Sequence, residues 1–342
     1  MLVLNAQIQI GSYQFTSVHE VQISKSIFSL ADYARIVVPA SAGLQYNNPL
    51  GSPTVSLNSR AAVFNEGDAV QIKLGYNNTL QTEFTGFIKK LHYSKPLVIE
   101  CEGYSWLLRN RNQLFTFSYT SCSLKTLLQQ IANCFPQINV SPDTEDIAFG
   151  PLAVAGASAA SVLEHLRFCG FTLFFINGNT LYGGLQSFTG TLPQVNLQLG
   201  WNTLKEDALI YRRADETQIS VALSYKDDDG KTQHALYSTN GTGAQTKKYR
   251  LPFMVDEATR GRFVNAYARQ YTYTGYEGAL QTFLQPYAQH AFAANLSDPV
   301  FPERNGQYLI ESMDLYFGQQ GARRTLGIGS TLTPQEELVI QS

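Results

Sequence analysis

Gly67-Asp68-Ala69-Val70-Gln71-Ile72-Lys73-Leu74-Gly75-Tyr76, then Phe84-Thr85-Gly86-Phe87-Ile88, then Val98-Ile99-Glu100-Cys101-Glu102-Gly103-Tyr104-Ser105-Trp106-Leu107-Leu108 is the stretch that decides the fold. Val70, Ile72 and Leu74 alternate with Gln71 and Lys73, the period of a half-buried strand. Gly75 to Leu80 reads as a polar turn, and Phe84 to Leu91 as a second strand. Gly86 sits where the backbone needs no side chain. Leu97, Ile99 and Cys101 alternate with Val98, Glu100 and Glu102 in a third strand. The expectation is a meander of strands with nothing catalytic in it.

A second pattern lies near the C-terminal end. Gly306-Gln307-Tyr308-Leu309-Ile310 opens a strand, Phe317-Gly318-Gln319-Gln320-Gly321 turns it, and Arg323-Arg324-Thr325-Leu326-Gly327-Ile328-Gly329 returns. In order and spacing the two patterns resemble the tail or baseplate hub proteins of contractile-tailed phages, the group of Mu-like tail proteins and late-control proteins. They lie at opposite ends, so the resemblance spans nearly all of the chain.

The resemblance implies a mainly β chain with an α/β insert: two tail-tube-like β-barrel domains plus a small α/β module. It implies barrels at 1–110 and 196–342 of one topology, and the module at 111–195, packed outside a ring. It also implies a homotrimer whose six barrels form a pseudo-sixfold ring between the tail tube protein and the threefold central spike protein. Tape-measure protein and DNA would pass through the channel, with baseplate wedge proteins as further partners. DNA would pass without specific binding, so no net positive patch is expected on the channel wall. The implied location is the virion tail, after synthesis in the host cytoplasm. The hub of a contractile injection system is the close alternative.

Composition sets independent bounds. The 342 residues suffice for two or three domains at roughly 100–200 residues each. Charged residues make up 15% and the net charge is −2. Low charge with many tyrosines and phenylalanines suits burial against partners, where aromatics are favoured and Lys and Glu depleted. A neutral monomer fits the same composition. No Lys/Arg run is longer than Lys89-Lys90, Arg212-Arg213, Lys247-Lys248 or Arg323-Arg324. Tight nucleic-acid binding needs clustered cations, so it is not expected. The N-terminal residues lack a signal-peptide pattern, and no apolar stretch is long enough to span a membrane.

Along the chain, Gln7–Gly11, Phe15–Ser24 and Ala34–Val38 read as strands, with a bulge or kink between Val18 and Ile23. Ala40–Ser59 reads as a long loop. Helical spacing follows at 123–134, with Ser123 as N-cap and Pro136 beyond its end. A second helix over 158–169 starts at Ser158 or Ser161, the latter in capping-box spacing with Glu164. Phe171–Ile176 and Thr180–Tyr182 form a hairpin across Asn177-Gly178. Ile219, Val221, Leu223 and Tyr225 alternate, and Asp227-Asp228-Asp229-Gly230 joins them to His234–Ser238. A helix over 255–271 is assigned to the second barrel unit, packing on the middle module.

The residue spacings match no catalytic or metal-binding motif. The Asp227–Gly230 run lacks EF-hand spacing and reads as a hairpin turn. His19-Glu20 lacks the second His of a zincin. His92, His165, His234 and His290 are scattered singly, and Asn240-Gly241-Thr242-Gly243 lacks the Lys-Ser/Thr of a phosphate loop. Cys101, Cys134 and Cys169 fall on apolar faces and, with Cys122, read as free thiols. No catalytic, cofactor-binding or metal residue is therefore expected, no cofactor, and no enzyme. A carbohydrate-binding β module with sugar-stacking tyrosines is the alternative from another class.

Overall fold

The computed structural model describes residues 3–39, 43–46, 54–56, 63–109, 113–185, 192–214, 219–227, 229–238 and 245–332. The first 102 residues supply β1 (Leu4–Ile10), β2 (Tyr13–Phe15), β3 (Glu20–Ser26), β4 (Tyr33–Val38), β5 (Gly43–Tyr46), β6 (Thr54–Ser56), β7 (Ala69–Tyr76), β8 (Thr79–His92) and β9 (Leu97–Glu102). The expected strand Phe15–Ser24 is broken at 16–19, so the irregularity at Val18 separates β2 from β3. The expected loop 40–59 contains β5 and β6, which extend the β1–β2 ribbon.

A short helix α1 (Ser105–Leu108) leads into the middle segment: β10 (Leu114–Tyr119), β11 (Cys122–Ser123), α2 (Leu124–Asn133), β12 (Asn139–Val140), β13 (Ala148–Phe149), β14 (Leu152–Ser158), α3 (Ala159–Phe168), β15 (Thr172–Ile176) and β16 (Thr180–Gly184). Ser123 caps α2 by accepting the Thr126 N–H. The cap of α3 is Ser158, which accepts from Ser161 N. The capping-box reading of Ser161 is corrected: it lies inside the first turn as a donor. Asn177 and Gly178 take positive φ of 52° and 88°, as a tight hairpin turn demands.

The last third holds β17 (Gln194–Gln198), β18 (Thr203–Arg212), β19 (Ile219–Lys226), β20 (Thr232–Ser238), β21 (Gln245–Met254), α4 (Glu257–Arg269), β22 (Gly275–Thr282), β23 (Ala293–Ser297), β24 (Gly306–Gly318) and β25 (Gly321–Thr331). The fold is mainly β with a small α/β part.

One hydrogen-bonded path crosses both ends of the chain: β18-β22-β25-β24-β3-β4-β9-β8-β7-β1-β2-β5-β6, with β23 and β17 branching from β24. Leaving out the β2, β5 and β6 extension and the separate β19–β21 sheet and numbering the remaining strands of each half in chain order, the first half runs second-third-sixth-fifth-fourth-first as β3-β4-β9-β8-β7-β1. The second half runs in the same order as β18-β22-β25-β24-β23-β17. One difference is direction: β1 is antiparallel to β7, whereas β17 is parallel to β23.

The two halves meet where Ser312–Gly318 of β24 pairs antiparallel with Ser26–Glu20 of β3. One face of this path buries a single apolar cluster drawn from both halves, including Ile8, Ile36, Ile72, Ile99, Met313 and Leu326. The path is rolled. β25 and β8 are five strands apart, about 24 Å at the usual spacing of ~4.8 Å. Yet Arg324 Nη2 of β25 lies 2.6 Å from Glu83 Oε1 of β8.

A second cluster joins α2, α3, β15 and β16 to β19, β21 and α4. The helix read over 255–271 lies in this cluster, and so does a three-stranded sheet from the same segment. The three-stranded sheet β20-β19-β21 and α4 lie between β18 and β22 in sequence, and they bury Val221, Leu223, Phe253 and Phe263 in the middle segment's cluster. The sheet has one apolar face and α4 one apolar stripe, and both find cover there.

Candidate functional site

With no catalytic residue expected, the candidate site is the surface of the continuous sheet where the halves join. β3 turns Val21 and Ile23 into the core and Gln22 and Ser24 outward. β24 turns Leu315 and Phe317 inward and Asp314 outward. A shallow groove of about 700 Å³ runs over this outward face, with residues of β3, β4, β8, β9, β22, β24 and β25 along it.

Charges on the face are of both signs, and several are in contact. Arg35 Nη1 lies 3.1 Å from Glu20 Oε1, and Lys89 Nζ lies 3.0 Å from Glu102 Oε2. His92 Nε2 lies 2.8 Å from Glu100 Oε1. Glu102 also receives Arg109 Nε at 2.7 Å and the Ser105 hydroxyl at 2.9 Å. Burial alone would raise the Glu102 carboxyl. The hydrogen bonds from Arg109, Lys89 and Ser105 outweigh it and hold the group below its ordinary value.

Behind the face, a buried polar cluster ties the halves together. Glu83 accepts from Arg324 and, at 3.0 Å, from Gln289 Nε2. Arg324 also donates to the Pro286 carbonyl at 3.2 Å and lies over the Tyr287 ring. His290 Nε2 donates to the Phe175 carbonyl at 2.8 Å, since a carbonyl oxygen only accepts. Burial, with the nearby Lys25 charge, lowers its pKa to about 3. A sequence search misses this cluster because Glu83, Gln289 and Arg324 belong to three separate segments.

Glu311 stands at the bulge of β24, where pairing with β25 shifts register. Burial, with the neighbouring Glu277 carboxylate, pushes its pKa up to about 7. A raised carboxyl binds its proton more tightly when folded, so stability falls as pH rises from about 4.5 to about 7. Glu311→Gln, which is permanently neutral, should match the parent near pH 5. At pH 8 it should exceed the parent by about 1–2 kcal/mol after allowance for partial exposure. Thermal melts at the two pH values measure this.

Most of the other sequence features lie away from this face or cluster. Asp227 accepts from Lys231 N and Gln233, and so forms a hairpin turn. Glu20 of the His19-Glu20 pair is held by Arg35. His165 Nε2 lies 3.7 Å from Cys169 Sγ, and His234 is exposed on β20. Asn240–Gly243 lies outside the described residues. Cys101 and Cys169 are buried and Cys122 is half-buried. Cys134 is exposed, against expectation, because it is the C-cap of α2, past the apolar stripe. Among the described residues no group of three His, Cys, Asp or Glu could hold a metal ion. No described helix is long and apolar enough to cross a membrane.

No protein-family model matches the sequence, and no curated protein does. Solved structures do match in fold. The tail protein from Neisseria meningitidis MC58 aligns over 96% of this chain and 96% of its own, with a TM-score of 0.67 at 12% identity. The 43 kDa tail protein of prophage MuSo2 from Shewanella oneidensis aligns over 95% and 97%, with a TM-score of 0.57 at 12% identity. An E. coli component of the type VI secretion system, described as structurally similar to the T4 bacteriophage tail proteins gp27 and gp5, covers 96% of this chain. The match takes in 77% of that protein, with a TM-score of 0.55 at 10% identity. The resemblance read from the two strand patterns therefore holds as a resemblance in fold.

Proposed function

We propose that this chain, which has the fold of phage and prophage tail proteins, is a structural hub of a contractile tail. The observation that carries the reading is the β3·β24 seam. One sheet passes through two halves of equal strand order, as a chain must if it supplies two quasi-equivalent units to a ring. Three copies then give six units, which adapt a sixfold tube protein on one side to a threefold spike protein on the other. The domain reading follows the packing: sheet units from 1–103 and from 192–212 with 275–332, and an outer module from 104–185 with 219–269.

The outward sheet face is the proposed channel wall. Its mixture of both charge signs supports passage of tape-measure protein and DNA without retention, since a wall of one positive sign would hold phosphates. Function here is geometry, and the protein is proposed to be neither an enzyme nor a cofactor binder. The proposed location is the virion tail baseplate, beside wedge proteins, with synthesis in the host cytoplasm.

The hub of a contractile injection system is the second reading, favoured by the fold match to a type VI secretion component over 96% of the chain. The carbohydrate-binding alternative finds less support. Tyr182, Tyr267, Tyr273, Tyr276 and Tyr308 are buried, and so are not available to stack on sugars. Light scattering of the purified protein at high concentration tests the hub reading. A particle of three chain masses is expected, and a strict dimer with a twofold interface contradicts it.

A further inference from the structure

The two halves repeat one strand order, and among the described residues the repeat leaves one pairing unmade. Ile88 of β8 donates its N–H to Asp68 O at 2.9 Å and accepts from Gly67 N at 2.8 Å. Ile310 of β24 donates to Phe292 O at 2.9 Å and accepts from Ala291 N at 2.8 Å. Immediately after each isoleucine the hairpin register shifts, between Ile88 and Lys90 and between Ile310 and Ser312. Lys90 and Ser312 are therefore equivalent positions.

From Ser312 onward β24 has left β23 and takes β3 as its neighbour. From Lys90 onward β8 has left β7, and among the described residues no strand takes its place. The counterpart of β3 in the second half is β18. It ends the path, paired with β22 on one side and with no described strand on the other. These two edges, which no described strand covers, correspond to the pair of edges that meet in the seam.

We propose that β18 of one copy adds antiparallel to β8 of a second copy from Lys90 onward, repeating the β3·β24 seam between chains. This rests on the ring reading above and specifies its interface. The ladder pairings give the register. Lys90, Glu100, Arg35 and Gln22 form one cross-strand row, and Ser312, Gly327, Ala279 and Ala208 form its equivalent. Ser312 faces Ser26 in the seam, so Lys90 faces Arg212 and His92 faces Ile210.

The side chains fit this placement. Leu209 and Tyr211 pack on the apolar cluster, as Ile23 does in β3. Ile210 points the other way and is 69% exposed, a large apolar side chain on a proline-free edge strand that invites pairing. Arg212 can approach Lys90 because Glu277 already neutralises it at 2.6 Å. The contact joins different surfaces of the two copies, so repetition closes a ring or runs on as a filament, according to the rotation per copy.

Engineered cysteines test the seam. Cys122→Ser and Cys134→Ser leave only the buried Cys101 and Cys169. Adding Ile210→Cys and His92→Cys places two thiols opposite each other across an antiparallel pair, at a Cβ separation of roughly 5 Å. Oxidation should then give a reducible ladder of covalent oligomers, and either cysteine alone should give none. Ile210→Lys, at an exposed position, should cut the assembled fraction about tenfold without moving the melting temperature of the single chain. Assembly of normal mass without the cross-link, or unaffected by Ile210→Lys, overturns the seam and leaves the ring reading standing. A chain that neither cross-links nor assembles at any concentration overturns both.

Discussion

Arg324→Met should lower the unfolding free energy by about 3–5 kcal/mol, the loss expected when one partner of a buried ion pair is removed. Arg324 is fully buried, and its guanidinium meets Glu83, itself 1% exposed, at 2.6 Å. Removing the cation leaves a carboxylate with Gln289 as its remaining side-chain donor. Burial already raises the Glu83 pKa despite the Arg324 and Lys25 charges, so the variant should take up a proton there. The cost should therefore shrink at low pH. Glu83→Leu combined with Arg324→Met should recover most of the loss, because an apolar pair of similar volume carries no desolvation penalty. Urea unfolding of the two single variants and the double variant measures the coupling. Additive losses would show that the pair does not act as a unit.

The second large effect is expected at Gly86. A Cβ there would stand 2.3 Å from the Glu102 carbonyl oxygen and 2.9 Å from the Gly103 Cα, both backbone atoms. No rotamer change relieves such a contact, so Gly86→Val must push β8 away from β9. The expected loss is about 3 kcal/mol, at the upper end of ordinary overpacking. It should come with weaker amide protection in β9, read by hydrogen exchange. Unchanged protection across Leu97–Glu102 would mean that the strands do not approach this closely.

Gly86 also illustrates which parts of the fold are legible in sequence. Strands β7, β8 and β9 can be read because alternation and glycines are local signals, and the same holds for the caps and the Asn177-Gly178 turn. The seam cannot be read, since Ser26 and Ser312 are far apart in sequence and nothing local marks either edge as one that will pair. The placement of the sheet β19–β21 is not legible for a related reason. Periodicity tells that Val221 and Leu223 need cover, but not which neighbour supplies it. The Glu83–Arg324 pair is hidden because an arginine in strand alternation reads as an outward residue. Here Arg324 shares the inward face with Ala322 and Leu326.

Electron cryo-microscopy of the protein, alone at high concentration or co-purified with tail-tube and spike proteins, tests the central claim most directly. The account predicts a ring of three chains with six sheet units around an open channel. The β3·β24 seam should alternate with an intermolecular copy of itself, and Gln22, Ser24 and Asp314 should face the lumen. A twofold dimer, a ring whose channel is lined mainly by Lys and Arg, or a channel filled by residues 111–185 would contradict it.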